Sequence, residues 1–332
     1  MMVSGKNLIR ETRYKSKIEF EHIQIKSFGI RYVKYRNQFE RANNLEYLSD
    51  FPLYIMLEQT YRCNLRCPSC IHGYKQVVKE YYPDGKIMPL NLYKKILAES
   101  EANNLCSISM MVNDEPLLLK DIAYRINLAR SSNVMDIIMV TNGNLMTKKI
   151  AREIIEAGVT HILFSVDAVT EETYSKVRPN GNMEKVLRAI DYVNEIRKGR
   201  RFPIVRASFF QNALNEHEQE QFQEYFKDKV DYIDTQKFTA YRGLNLNLKP
   251  KKAKYGNKIS CCMPWTRLSI RLNGDVMPCC TFYGYDIIVG NVYKQSIKDI
   301  WHSEIMCTLR EDAKRKEYTL KSCRDCIDRS AY

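Results

Sequence analysis

The chain lacks any apolar run near the roughly 18 residues that a membrane-spanning helix needs. Its opening stretch, MMVSGKNLIRETRYKSK, also lacks the apolar centre of a secretory signal, so a cytoplasmic protein without membrane partners is expected. No low-complexity tract and no repeat at a solenoid period occurs, which excludes repeat architectures. What is present is ample: 332 residues, 45% hydrophobic and 11% aromatic, enough for a substantial core and for one large or two ordinary domains. The formal charge is +13. The basic residues are mostly interleaved with acids, as at Glu184-Lys185 and Glu195 to Lys198, so solvated helix faces explain them better than nucleic-acid binding. The one dense basic run, Lys249-Pro250-Lys251-Lys252-Ala253-Lys254, reads as part of a linker.

Apolar, β-branched runs at Leu53 to Leu57, Ser107 to Val112, Ile137 to Thr141, His161 to Val166, Ile204 to Phe210 and Tyr232 to Phe238 predict six strands. Helical patterns at Leu92 to Ala102, Ile122 to Arg130, Lys148 to Ala157, Met183 to Arg197 and Glu216 to Phe226 alternate with them. That alternation predicts a parallel α/β domain. Beyond residue 255 the pattern changes. Trp265 to Leu272 reads as a strand, Asn273-Gly274 as a hairpin turn and Asp275 to Pro278 as the return strand, followed by a helical stripe of Ile297, Ile300, Trp301, Met306 and Leu309. The expected division is 1–50 as an N-terminal extension, 51–240 as the barrel-like domain, 241–260 as a linker and 261–332 as a cysteine-bearing domain. The first 50 residues are expected to be irregular.

Eleven cysteines are many for a reducing compartment and point to metal or cluster ligation. Three lie within Cys63 to Cys70. Six lie between Cys261 and Cys326, with Cys307 in addition inside a helical stretch, and Cys106 stands alone. The first group directly follows the first predicted strand, at the strand end where α/β folds gather their sites. Three thiolates can hold a 4Fe-4S cube with one iron open, whereas structural zinc needs a fourth donor, for which His72 is the local candidate.

The C-x3-C-x2-C spacing of Cys63, Cys67 and Cys70 in this place resembles the radical S-adenosylmethionine (radical SAM) superfamily. The resemblance implies an α/β fold, a partial (β/α)6 TIM-like barrel with a small C-terminal β-hairpin and helix iron-sulfur domain. It implies a cluster whose open iron binds the amino and carboxylate groups of S-adenosyl-L-methionine (SAM), and cleavage of SAM to methionine and a 5'-deoxyadenosyl radical. Ser69 stands where the family usually has an aromatic residue. Asn113-Asp114-Glu115-Pro116 is similar to the family's GGEP-type motif, which implies that Glu115 binds the SAM ammonium. By the same likeness Asn142, Ser165 and Asp167 contact the ribose and carboxylate side of SAM. Tyr174 to Arg178 resembles a Y-x-x-x-R stretch whose guanidinium pairs with the SAM carboxylate, although Arg178 also reads as a helix-surface arginine.

Cys261-Cys262-Met263-Pro264-Trp265, Gly274-x4-Cys279-Cys280 and Cys323-x2-Cys326 resemble the SPASM/Twitch extension of such barrels. Twelve residues separate Cys261 from Gly274, within the C-x(9-15)-G-x4-C pattern. The likeness implies an auxiliary 4Fe-4S cluster on Cys261, Cys279, Cys323 and Cys326, in the shorter Twitch form; four such thiolates also suit zinc. Cys106, Cys262, Cys280 and Cys307 remain, most of them expected to be buried, with Cys262 and Cys280 as candidate hydrogen donors to a substrate radical. The implied activity is dehydrogenation or epimerisation of a sugar, aminocyclitol or aminoglycoside, with flavodoxin or ferredoxin as electron donor. Peptide maturation is the alternative, since 50 residues are too few for a leader-binding module. An RNA-modifying enzyme and a zinc-stapled binding module follow behind. Tyr241, Arg242 and His72 are candidate substrate contacts.

Overall fold

The computed structural model describes residues 10–14, 17–82, 85–240, 244–251 and 260–329. Ten strands form one open sheet: β1 (Arg10–Tyr14), β2 (Tyr54–Leu57), β3 (Ser107–Ser109), β4 (Asp136–Thr141), β5 (His161–Ser165), β6 (Ile204–Phe210), β7 (Tyr232–Gln236), β8 (Arg267–Ile270), β9 (Asp275–Met277) and β10 (Gly290–Asn291). Their order is β1-β7-β6-β5-β4-β3-β2-β8-β9-β10. Strands β2 to β7 are parallel neighbours in sequence order, each joined to the next through helix. These are the six strands the sequence predicts, and together they make the partial (β/α)6 barrel. Short apolar runs such as HILFS succeed because both faces of a parallel sheet are covered.

The crossover helices begin where the chain supplies caps. Thr147, Thr170 and Asn182 each accept a hydrogen bond from a first-turn N–H, starting helices Lys148–Glu156, Glu171–Val177 and Met183–Ile196. Gly158, at φ +101°, lets the chain turn back after the first of these.

The N-terminal extension is not irregular. Strand β1 pairs antiparallel with β7, and a helix runs Lys17–Asn43 with a bend at Gly29, whose φ of 59° only glycine adopts readily. Tyr32 and Tyr35 are buried while Ile30 and Val33 are exposed, so its apolar residues do not fall on one face and no helical period is visible. The helix closes the end of the barrel where the strands begin. Gln24 Nε2 meets His161 Nε2 at 3.2 Å, and Arg31 donates to the carbonyls of Asn133 (2.9 Å) and Leu105 (3.2 Å).

At the other edge β8 pairs parallel with β2, so the C-terminal hairpin continues the barrel's sheet. Met263–Thr266 is a short helix where the start of a strand was expected, because Pro264 fits the first turn of a helix and cannot donate to a ladder. Gly274 takes φ +85° in the predicted turn. Helices Ile297–Trp301, Glu304–Arg315 and Lys321–Arg329 follow, with all five residues of the predicted stripe buried. The Trp301 indole donates to the Ser49 carbonyl at 2.7 Å, tying this segment back to the chain before β2. Among the described residues no helix is long and apolar enough to cross a membrane. Tyr241, Arg242, Lys252 and Lys254 lie outside the described residues.

Candidate functional site

Cys63, Cys67 and Cys70 sit on the loop leaving β2, close enough to interact electrostatically with one another. The loop is tight: a Cβ on Gly73 would stand 2.5 Å from the Cys67 carbonyl oxygen. Burial pushes all three thiols up, Cys70 to about 12, because a bare thiolate is costly away from water. N–H donors nevertheless face the sulfurs: Leu65 N at 3.5 Å and Asn142 Nδ2 at 4.0 Å from Cys63, and Arg178 Nη1 at 3.9 Å from Cys67. Such donors suit iron-bound thiolates, whose charge the metal compensates. His72 is buried, with its pKa lowered to about 4 by burial and then by Arg66, and it is not on the cavity wall that the three thiols share.

Glu115 lies on the loop after β3, beside this cysteine loop. Its Oε1 accepts from the Thr141 hydroxyl (2.7 Å) and Leu117 N (3.1 Å), and its Oε2 from Asn142 N (2.8 Å). Asp114 takes the place of a family glycine by capping backbone: it accepts from Gln59 N, Thr60 N and Val112 N, each at 3.1 Å. Thr141, named in the sequence only as the end of a strand, joins this group through its bond to Glu115.

A cavity of about 530 Å³ brings these groups together. It is lined by Cys63, Cys67, Cys70, Glu115, Asn142, Ser165, Asp167 and Arg178, the whole set that the sequence assigns to the first cluster and to SAM. Arg178 is not a surface arginine. It pairs with Asp167, whose other oxygen accepts from Phe210 N at 2.7 Å, and its buried Nε has no partner among the described residues. Asp167 and Cys67 hold the guanidinium charged against the opposing effect of burial. Below, the cavity reaches Tyr32, Tyr35 and Arg36 of the N-terminal helix, none of which the sequence identified.

The second thiol group also assembles. Cys261 is within electrostatic reach of Cys279 and Cys326, and Cys323 of Cys279 and Cys326. Cys323 and Cys326 stand three apart on helix Lys321–Arg329 and share a face. A Cβ on Gly284 would come within 2.9 Å of Cys279 Sγ, so glycine there makes room for that sulfur. Cys261 N donates to the Tyr318 hydroxyl at 2.9 Å, and Thr281 Oγ1 lies 3.4 Å from Cys279 Sγ. Among the described residues no three His, Cys, Asp or Glu side chains close around one metal ion. The donor set, four neighbouring cysteines here and three in the barrel loop, is the one that iron-sulfur clusters take.

None of the four remaining cysteines is fully buried, contrary to expectation, and Cys307 is exposed. Cys280 lines the large cavity, whereas Cys262 does not.

One feature was invisible in the sequence. Glu58, fully buried at the end of β2, accepts hydrogen bonds from Tyr82 and Tyr285, whose hydroxyls lie 2.8 Å apart. Asn113 Nδ2 donates to the same Tyr285 hydroxyl at 3.1 Å, and Arg271 Nε approaches Glu58 at 3.5 Å. The Asn113-Asp114-Glu115 loop of the barrel is thus bonded to the loop that follows Cys279 and Cys280. Glu58 and Tyr285 are 227 residues apart, beyond any local pattern.

Residues 57–208 match the family model of the radical SAM superfamily, and residues 261–327 that of an iron-sulfur cluster-binding domain, SPASM. Among curated proteins, GTP 3',8-cyclase of Clostridium botulinum (strain Hall) is 30% identical over 141 residues, 42% of this chain and 42% of that protein. The probable GTP 3',8-cyclase of Methanococcus maripaludis (strain C5) is 31% identical over 140 residues, 42% of this chain and 45% of its own. The chain thus matches less than half the length of these relatives. Among solved structures it is similar to BtrN in complex with AdoMet and 2-DOIA (19% identity, TM-score 0.55, 83% of this chain and 92% of BtrN). It is also similar to Streptococcus suis SuiB (15%, 0.58, 90% and 75%) and to anSMEcpe with bound AdoMet (15%, 0.61, 84% and 89%). At these identities the structural likeness shows the partial-barrel fold.

Proposed function

Because this chain belongs to the radical SAM superfamily and carries a SPASM iron-sulfur domain, we propose that it abstracts a hydrogen atom from a small polar substrate, a sugar, aminocyclitol or aminoglycoside, for dehydrogenation or epimerisation. The observation that carries this reading is the cavity. About 530 Å³, closed below by helix Lys17–Asn43, must serve SAM and substrate together. That suits a small molecule and leaves little room for a longer peptide.

SAM, a SAM-binding 4Fe-4S cluster and an auxiliary cluster are the cofactors that the family implies; when bound and reduced they supply a 5'-deoxyadenosyl radical. In our assignment Cys63, Cys67 and Cys70 hold the first cluster, and Cys261, Cys279, Cys323 and Cys326 the auxiliary one, making two clusters in the chain. Glu115, oriented by Thr141, Leu117 and Asn142, offers its carboxylate to the SAM ammonium. Arg178, held by Asp167, offers its unpartnered Nε to the SAM carboxylate. Asn142, Ser165 and Asp167 flank the ribose. Tyr32, Tyr35 and Phe39 of the N-terminal helix keep water from the chamber floor. Cys280, on the wall, is placed to return hydrogen to a substrate radical in an epimerisation. We place the enzyme in the cytoplasm, reduced by a flavodoxin or ferredoxin.

The test is 5'-deoxyadenosine formation by the anaerobically reconstituted, reduced enzyme with panels of sugars, aminocyclitols, aminoglycosides and short peptides. A small polar substrate is expected to raise it and to yield a product two hydrogens lighter or an epimer. Stimulation by peptides alone would make the enzyme a maturase and overturn the small-substrate reading.

A further inference from the structure

The ionisable side chains on and just behind the chamber wall largely satisfy one another. Arg178 pairs with Asp167, Arg206 with Asp234, and His161 with Asp136. Arg267 does not follow this pattern. It opens β8 opposite Tyr54 of β2, is only 9% exposed and lines the same cavity. Among the described residues no carboxylate lies within ion-pair distance of it; burial opposes its charge, and only the Cys280 and Cys262 thiols and the Tyr54 and Tyr35 hydroxyls nearby favour it. Its hydrogen bond runs from Nε to Thr266 Oγ1 at 3.2 Å, and among the described residues neither terminal nitrogen has a hydrogen-bond partner. The rings of Tyr54 and Phe39 stand 5.2 and 6.0 Å from its guanidinium carbon, an arrangement that tolerates the cation without neutralising it.

A buried cation without a counter-charge is costly. The cost is recovered when a ligand brings the missing anion, and a planar guanidinium with two free terminal nitrogens matches the two oxygens of a carboxylate or phosphate. Cys280, Thr281 and Phe282 line the same chamber, so a ligand held at Arg267 shares it with the SAM-side residues.

We propose that Arg267 anchors an anionic oxygen group, carboxylate or phosphate, of the substrate, so that within the sugar class proposed above the chamber selects an acidic or phosphorylated member over its neutral or amino analogue. The inference rests on the chamber being the substrate site, as proposed above. A neutral sugar would strip water from Arg267 and leave it unpaired, which is how a site rejects an analogue lacking the matching group.

Two small probes, inorganic phosphate and acetate, distinguish the two sources of charge. Each is titrated by calorimetry into the anaerobically reconstituted full chain at constant ionic strength, with chloride as control, for wild type, Arg267→Gln and Arg267→Lys. Saturable binding of phosphate or acetate by the wild type is expected, weakened at least tenfold in Arg267→Gln and partly restored in Arg267→Lys. No saturable wild-type binding of either probe overturns the inference, and this arm stands if a variant does not fold. Equal binding by wild type and Arg267→Gln overturns it too. So does an Arg267→Gln variant in which only the auxiliary cluster's midpoint potential moves, which would make Arg267 a counter-ion of that cluster. SAM cleavage by the same wild-type sample separates the two readings: anion binding without SAM cleavage overturns the proposed function and leaves the anion site standing.

Discussion

Tyr285→Phe removes one oxygen from the buried junction between the barrel and the cysteine-bearing C-terminal segment. That hydroxyl donates to the Glu58 carboxylate, lies 2.8 Å from the Tyr82 hydroxyl and receives the Asn113 amide at 3.1 Å. A hydrogen bond to a charged group contributes about 1.5–3 kcal/mol, and a neutral one about 1 kcal/mol. Burial raises the pKa of Glu58, with Arg271 opposing, and a protonated carboxyl would put its bond at the lower end. A loss of about 2–4 kcal/mol follows, since Glu58, Tyr82 and Tyr285 are all buried and the change leaves their polar groups short of a partner. At about 2.1 cal/mol/K per residue the 332-residue chain has an unfolding entropy of about 0.7 kcal/mol/K, so that is a fall in Tm of about 3–6 °C. The assay is thermal unfolding of the anaerobically reconstituted protein followed by circular dichroism, with SAM affinity measured alongside because Asn113 adjoins Glu115. Tyr81→Phe is the control. The Tyr81 ring packs against that of Tyr285, tilted by 35° at 4.6 Å, but its hydroxyl makes an exposed bond to Asp286, so that variant should move Tm by less than about 1 °C. A Tyr285→Phe protein as stable as the control would refute the reasoning.

Glu115→Gln removes the charge offered to the SAM ammonium and mismatches the Asn142 N–H, so SAM affinity by equilibrium dialysis should fall about 10–100-fold; unchanged affinity would remove Glu115 from the SAM site. Reconstituted wild type should carry about eight iron and eight sulfide per chain, and Cys279→Ser about four of each; about four iron plus one zinc in the wild type would make the C-terminal site a structural staple. If the reaction is an epimerisation, product formed in D2O should carry deuterium, and Cys280→Ala should abolish that label; label retained would clear Cys280 of the hydrogen-donor role. Asp114 has its pKa raised from 3.8 to about 8, by burial first and then by Glu58. The folded state therefore holds this proton more tightly than the unfolded chain, and the stability it contributes is present below pH 3.8 and lost as pH rises through about 8. Tm should decline between about pH 5 and 8 and the slope should flatten in Asp114→Asn, whereas a Tm that rises over this range would contradict the assignment.

The barrel was legible because its signals are local. A run such as His161 to Val166 shows its β-branched and apolar character within five or six residues, and caps such as Thr147 and Thr170 stand next to the helices they begin. The first cluster loop was legible for the same reason, since its three thiols lie within eight residues. The N-terminal helix was not. It packs through Gln24, Arg31, Tyr32 and Tyr35 against strand ends that lie 74 to 137 residues away, and its own periodicity carries no trace of that surface.

Sequence alone determined the chemistry available: which strands alternate with helices, which cysteines come in ligand spacing, and that a glutamate follows the second barrel strand. Tertiary structure decided how that chemistry is used. It turned Arg178 from a plausible surface residue into the buried partner of Asp167, and brought Cys280 but not Cys262 to the chamber wall. It joined Glu58 to Tyr285 across 227 residues and left Arg267 buried with no carboxylate partner among the described residues. The physical reason is that ligand spacing and helix or strand periodicity are properties of neighbours along the chain. The desolvation and electrostatic balance of a buried group depends on whatever the fold packs around it, and in this chain those groups come from opposite ends of the sequence.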